Sequence, residues 1–167
     1  MTIEIGARLP EATLRESIEF GDVCPVAPET VSVTEATKGK KIVIFGVPGA
    51  FTSTCSERHL PGYIQSLDAL RARGIDEVWC VAVNDGFVMA AWGKSQNAIG
   101  KLRFLGDGSA EFAKKLGLER DLTAAGMGIR MQRFSMFVDD GVVKTLNVEA
   151  SGKLEVSDAA TMLRQVG

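Results

Sequence analysis

Cys55 stands where an apolar run, Lys41 to Val47, hands over to a helical pattern. At such a junction the backbone N–H groups of the first helical turn point outward and the helix dipole favours negative charge. Thiolate is the reactive form of cysteine, and a helix start favours it. Thr54-x-x-Glu57 fits a capping box, which puts Cys55 at the first helical position. Thr52, three residues before the sulfur, supplies a hydroxyl where a dithiol oxidoreductase would carry its first cysteine. A thiolate beside a hydroxyl and N–H donors is suited to holding a small oxygen-rich substrate while the sulfur attacks it. A nearby cation would stabilise both the thiolate and the oxyanion that leaves. Arg130 and Arg133, in the run Gly128 to Phe134, are the candidates.

Other chemistries fit less well. Cys80 lies between Trp79 and Val81 inside an apolar run and reads as a small buried hydrophobe. Cys24 precedes Pro25 in an irregular segment and reads as an incidental exposed thiol. The one histidine, His59, follows Cys55 by four residues. Two ligands on one helix face do not make a zinc site, and no Cys-x-x-Cys occurs, so no metal is expected. A cysteine hydrolase needs a base positioned by a third group. On the same short helix His59 has little room to approach the sulfur, and it reads as a polar residue of the helix surface.

The elements that must position Cys55 follow from hydrophobic patterning. Ile42 to Val47 and Glu77 to Val83 are continuous apolar runs, as expected of central strands covered on both faces. A helical segment runs from about Thr54 to Arg73. Pro61-Gly62 predicts a kink or break in it, and Gly74 is a C-terminal stop. Tyr63, Ile64, Leu67 and Leu70 keep helical spacing beyond the interruption. A helix over Phe87 to Gln96, a short strand over Leu102 to Leu105 and a short helix over Ser109 to Leu116 come next. Asp139-Asp140-Gly141 between two β-type runs, 134–138 and 142–148, predicts a hairpin. A closing helix covers about Ser157 to Gln165. The region up to Lys40 reads as loops or short edge strands. The order predicts an α/β fold, a mixed central β-sheet with helices on both faces, in a single domain over residues 1–167.

The chain has 167 residues and a net charge of -2, which gives no reason to expect nucleic acid or an anionic membrane surface as partner. No apolar run approaches the roughly 20 residues that span a bilayer. The first residues carry neither the basic nor the apolar region of a signal peptide. Three cysteines at scattered spacing do not make a secreted disulfide framework, so the reducing cytoplasm is the expected compartment.

Pro48, Thr52 and Cys55 match the Pro-x-x-x-Thr-x-x-Cys motif of peroxiredoxins. The fuller string, Pro-Gly-Ala-Phe-Thr-x-x-Cys followed by His-Leu-Pro-Gly, resembles the type II, peroxiredoxin-5-like branch. Supporting stretches extend over most of the chain: Gly6 to Leu14, Val83-Asn84-Asp85 with Phe87 and Trp92, and Arg133-Phe134-Ser135-Met136 before Asp140-Gly141.

The resemblance implies a thioredoxin-like fold and thiol-dependent reduction of hydrogen peroxide and alkyl hydroperoxides through a Cys55 sulfenic acid, with no cofactor. It implies Cys55 as the peroxidatic cysteine and Thr52 as a hydrogen-bond partner of peroxide and thiolate. Pro48 would shape and shield the pocket, and Arg133 would stabilise thiolate and peroxide, with Arg130 its rival. The backbone N–H of Cys55 would also meet the substrate. Some members of the branch carry a resolving cysteine shortly after the Asn-Val-Glu segment. Here the corresponding run, Lys153 to Ser157, has none. The expected reductant is therefore an external thiol, glutathione with glutaredoxin first and thioredoxin second. The resemblance also implies a homodimer, to which Phe51 and Phe87 would contribute. The competing reading is a peroxide-responsive redox sensor that acts through a partner interface.

Overall fold

The computed structural model describes residues 1–166. Three parallel strands form its centre: β3 (Lys41–Gly46), β4 (Glu77–Ala82) and β5 (Arg103–Gly106). The N-terminal region adds β1 (Thr13–Glu16) and β2 (Glu29–Ser32) as an antiparallel edge. On the other side β8 (Phe134–Asp139) and β9 (Val142–Val148) form a hairpin, and β8 pairs antiparallel with β3. The sheet order is β2-β1-β5-β4-β3-β8-β9. Asp140 and Gly141 both have positive φ, 49° and 77°, the backbone that a tight primed hairpin turn requires.

The continuous apolar runs are explained by two cores. Along β3, Val43 and Phe45 face one side while Ile42 and Ile44 face the other; along β4, Val78, Cys80 and Ala82 alternate with Trp79 and Val81. The first face is covered by α2 (Leu60–Ala72), α3 (Gly86–Ser95) and α5 (Ala159–Gln165) through Leu60, Tyr63, Leu67, Leu70, Met89, Trp92 and Met162. The second is covered by α1 (Val33–Thr37) and α4 (Glu111–Leu116) through Val33, Phe112, Ala113 and Leu116. Strands buried on both faces cannot show the polar alternation of a half-exposed strand.

Two expectations need correction. A separate antiparallel pair, β6 (Glu119–Leu122) with β7 (Gly128–Met131), occupies a stretch to which the patterning assigned no element, its second strand having been read only for its candidate cation Arg130. Its strands are only four residues each, β6 mostly charged and β7 opened by a glycine, so no hydrophobic period marks them. The interruption at Pro61-Gly62 also takes a different form. α2 runs through both residues, with Pro61 in its first turn. The irregularity lies just before, as a π-helical turn over Cys55–His59 in which the Leu60 N–H donates to the Cys55 carbonyl. Pro61 has no N–H to give to the carbonyl four residues back, and its ring crowds that carbonyl; the wider turn takes up the mismatch.

Candidate active site

The loop between β3 and the π-helical turn carries Pro48, Thr52 and Cys55. Ser53 and Thr54 are already helical, so Cys55 lies within the first turn but not at its first position. Thr54 has αR backbone and makes no capping hydrogen bond through its side chain; the predicted capping box is not formed. The loop is tied both from outside and within its own turn. The Ala50 N–H donates to Asn84 Oδ1 at 2.9 Å, and the Ser56 N–H donates to the Thr52 carbonyl at 3.0 Å. Phe51 sits at φ 62°, a left-handed conformation that costs a bulky residue energy and persists only where the surroundings hold it. The Thr52 hydroxyl donates to the Gly49 carbonyl at 2.7 Å rather than to the sulfur. Its proton is thereby directed away from Cys55, and its lone pairs are left to accept.

Cys55 is fully buried among core side chains that include Phe45, Tyr63 and Cys80. Arg133, at the residue before β8, reaches it: Nη2 donates to Sγ at 3.1 Å. The two arginines are thus separated by geometry. Arg130 donates from Nε to the Met127 carbonyl at 2.8 Å and from Nη1 to the Val83 carbonyl at 3.4 Å, which braces the loop around Gly49. Pro48 and Arg133 share the wall of a cavity of about 220 Å³ with Arg120, Gln132 and Ser151. Burial pushes the Cys80 thiol well above its ordinary value, and the neighbouring Cys55 adds to the rise. Cys24 is exposed.

His59 was expected on the helix surface and is instead only 1 % exposed. It packs against the rings of Phe45 and Tyr63 at 5.0 and 5.6 Å. Its Nε2 lies 3.0 Å from the Ser157 carbonyl, which also accepts from the Tyr63 hydroxyl at 2.9 Å. A carbonyl only accepts, so Nε2 carries the proton and Nδ1 is free to accept from Arg133 Nη1 at 2.8 Å. The Ser157 end is held in turn. Glu149 accepts from the N–H groups of Glu155, Val156 and Ser157 and from the Ser157 hydroxyl. These donors outweigh burial and hold the Glu149 carboxyl below its usual range. One continuous chain of hydrogen bonds therefore runs from Cys55 through Arg133 and His59 to Ser157 and Glu149. The sequence did contain a signal for this: Cys55, His59, Tyr63, Leu67 and Leu70 form one stripe at helical spacing, and His59 lies within it.

Burial, reinforced by Arg133, lowers His59 from 6.5 to about 4, although Ser157, Glu149 and Asp158 pull the other way. Between those values the unfolded chain binds a proton that the folded chain refuses. The stabilisation is therefore complete above pH 6.5 and is lost as pH falls toward 4. The full shift corresponds to about 3 kcal/mol. Urea unfolding at a series of pH values is expected to show this loss, and His59→Asn should lack that component of it. An equally steep loss in the variant would assign it to other groups.

A family model for redoxin matches residues 4–163. Peroxiredoxin-2B of Arabidopsis thaliana is 42% identical over 162 residues, covering 97% of this chain and 97% of that protein. The chloroplastic peroxiredoxin-2E of the same plant is 44% identical over 166 residues, covering 98% of this chain and 69% of that protein. Among solved structures, reduced Prx3 of Vibrio vulnificus in complex with H2O2 superposes with a TM-score of 0.89 at 49% identity, over 98% of this chain and 99% of that one.

Proposed function

Because the chain belongs to the redoxin family, in the type II branch of the peroxiredoxins, it is a thiol-dependent peroxidase, and we propose that Cys55 is the sulfur that peroxide oxidises. The observation that carries this reading is the 3.1 Å hydrogen bond from Arg133 to Sγ. A guanidinium at that distance stabilises the thiolate and stands ready for charge that moves onto the peroxide. The thiolate attacks the nearer peroxide oxygen; an S–O bond forms and the O–O bond breaks. The departing oxygen takes a proton and leaves as water or alcohol, with Cys55 as sulfenic acid. Thr52, its proton engaged by Gly49, offers a lone pair to a peroxide O–H. Pro48 and Arg133 wall the neighbouring cavity. Access to the buried sulfur requires the side chains above it to part.

Recycling, in this proposal, uses an external thiol. That thiol condenses with the sulfenic acid to give a mixed disulfide and water, and a second thiol releases Cys55. The segment Glu149 to Ser157 carries no cysteine, and Cys80 is buried with its thiol kept protonated. Glutathione with glutaredoxin is the first choice and thioredoxin the second. After one equivalent of peroxide, intact mass is expected to show one added oxygen, and glutathione should convert it to a mixed disulfide at Cys55. A high-yield Cys55–Cys80 or Cys24–Cys55 crosslink on non-reducing peptide mapping would overturn the external-thiol route. Three free thiols suit a reducing compartment, and the cytoplasm is the proposed one. Phe51 and Phe87, 57% and 47% exposed near the site, suit an interface between two copies of the chain, which sedimentation velocity tests.

A further inference from the structure

We infer that His59 is a positioning residue for the peroxide step: a neutral imidazole whose Nδ1 accepts from Arg133 and so holds the guanidinium on Cys55. The inference rests on the peroxidase reading and deepens it.

Three features on different atoms converge on it. The guanidinium spends one terminal nitrogen on Cys55 Sγ and the other on His59 Nδ1, at 3.1 and 2.8 Å. With both ends of its fork engaged, the group has one orientation instead of several. The imidazole is itself fixed, by the Ser157 carbonyl at Nε2 and by the rings of Phe45 and Tyr63. Its burial keeps it neutral, and only the neutral ring has an acceptor to offer a cation. The charged and titratable groups that face it are Arg133 before β8, Glu149 after β9, Asp158 before α5 and Tyr63 from α2. All but Arg133 and the phenol are acidic, yet Glu149 is saturated by the loop that carries Ser157.

The π-helical turn gives this arrangement a structural reason. Cys55 and His59 are its first and last residues, and both are buried. Both therefore present side chains to the side from which Arg133 arrives. A histidine there does what a carboxylate could not do without drawback. It orients the arginine without adding negative charge that would compete with the thiolate for the cation.

Two isosteric substitutions separate the halves of the ring. Asparagine puts its Oδ1 near the place of Nδ1 and keeps the acceptor for Arg133. Glutamine puts its amide nitrogen near the place of Nε2 and keeps the donor to Ser157, but loses the acceptor. Stopped-flow peroxide oxidation, followed by tryptophan fluorescence, is expected to be slowed roughly 10- to 100-fold in His59→Gln, as misplacement of a reacting-group partner does. His59→Asn should stay within about threefold of the parent on the same argument. A purely structural tether to Ser157 gives the reverse order, glutamine near normal and asparagine impaired, and overturns the inference. So do two variants that react equally fast. Nitrogen NMR of the unmodified protein tests it without substitution: at neutral pH the ring must be the Nε2–H tautomer, and an Nδ1–H tautomer or an imidazolium overturns it. If the parent protein itself failed to consume peroxide, the peroxidase reading would fall instead.

Discussion

Cys55→Ser is expected to abolish peroxide turnover and to leave the fold intact. The substitution is close to volume-conserving at a fully buried position, so the packing around it is kept. What it removes is an ionisable sulfur. A serine hydroxyl beside Arg133 can accept the same hydrogen bond but does not ionise near neutral pH and cannot form a sulfenic acid. The other two thiols cannot substitute for it. Cys80 faces the same core as Cys55, and burial holds it protonated against the opposing pull of Arg133. Cys24 is exposed at the bend joining β1 and β2, within the turn closed by its carbonyl and the Gly21 N–H. Cys24→Ser and Cys80→Ser should therefore keep the first oxidation step. Peroxide consumption with an external thiol, together with circular dichroism of each variant, measures all three. Turnover in Cys55→Ser above a few per cent of the parent would refute the assignment.

The parts of this molecule that were legible in the sequence are those set by local rules. The paired apolar runs identified β3 and β4 because a strand buried on both faces has no polar alternation to show. The Asp-Gly turn identified the β8–β9 hairpin because both residues tolerate positive φ. The mixed sheet with helices on both faces followed from the order of elements. What was not legible depends on residues far apart in the chain. Thr54 and Glu57 have the right types for a capping box, but the helix had already begun at Ser53, so Thr54 had no cap to make. The resemblance gave the Thr52 hydroxyl to thiolate and peroxide, and in the fold it donates its hydrogen bond to a carbonyl three residues earlier instead of to the sulfur. His59 was read as a polar residue of the helix surface, because on the same short helix it had little room to approach the sulfur. It is buried because Arg133, 74 positions later, and Ser157, 98 positions later, satisfy both of its nitrogens. Periodicity placed His59 on the buried stripe, and tertiary partners decided.

The choice between Arg130 and Arg133 is of the same kind, since three residues of sequence separate them and only the fold separates their roles. Arg133→Met is expected to slow the peroxide step by roughly a hundredfold, on the order of 3 kcal/mol of barrier. Methionine keeps much of the aliphatic stem and removes the charge and both donors. Cys55 then loses the cation at 3.1 Å, and the peroxide loses the donor that would meet its developing oxyanion. His59 also loses the partner of its Nδ1, and a neutral acceptor facing methionine is the cheaper of the two vacancies. Arg130→Met breaks contacts to two backbone carbonyls, Met127 and Val83, and so acts on the loop around Gly49 and on stability. Its peroxide step should stay within about tenfold of the parent, because it holds the scaffold and not the reacting atoms. Stopped-flow oxidation of the two variants side by side decides the matter, with urea unfolding to separate rate from stability. If Arg130→Met were the slower of the two, the guanidinium seen on the sulfur would not be the one that serves the reaction.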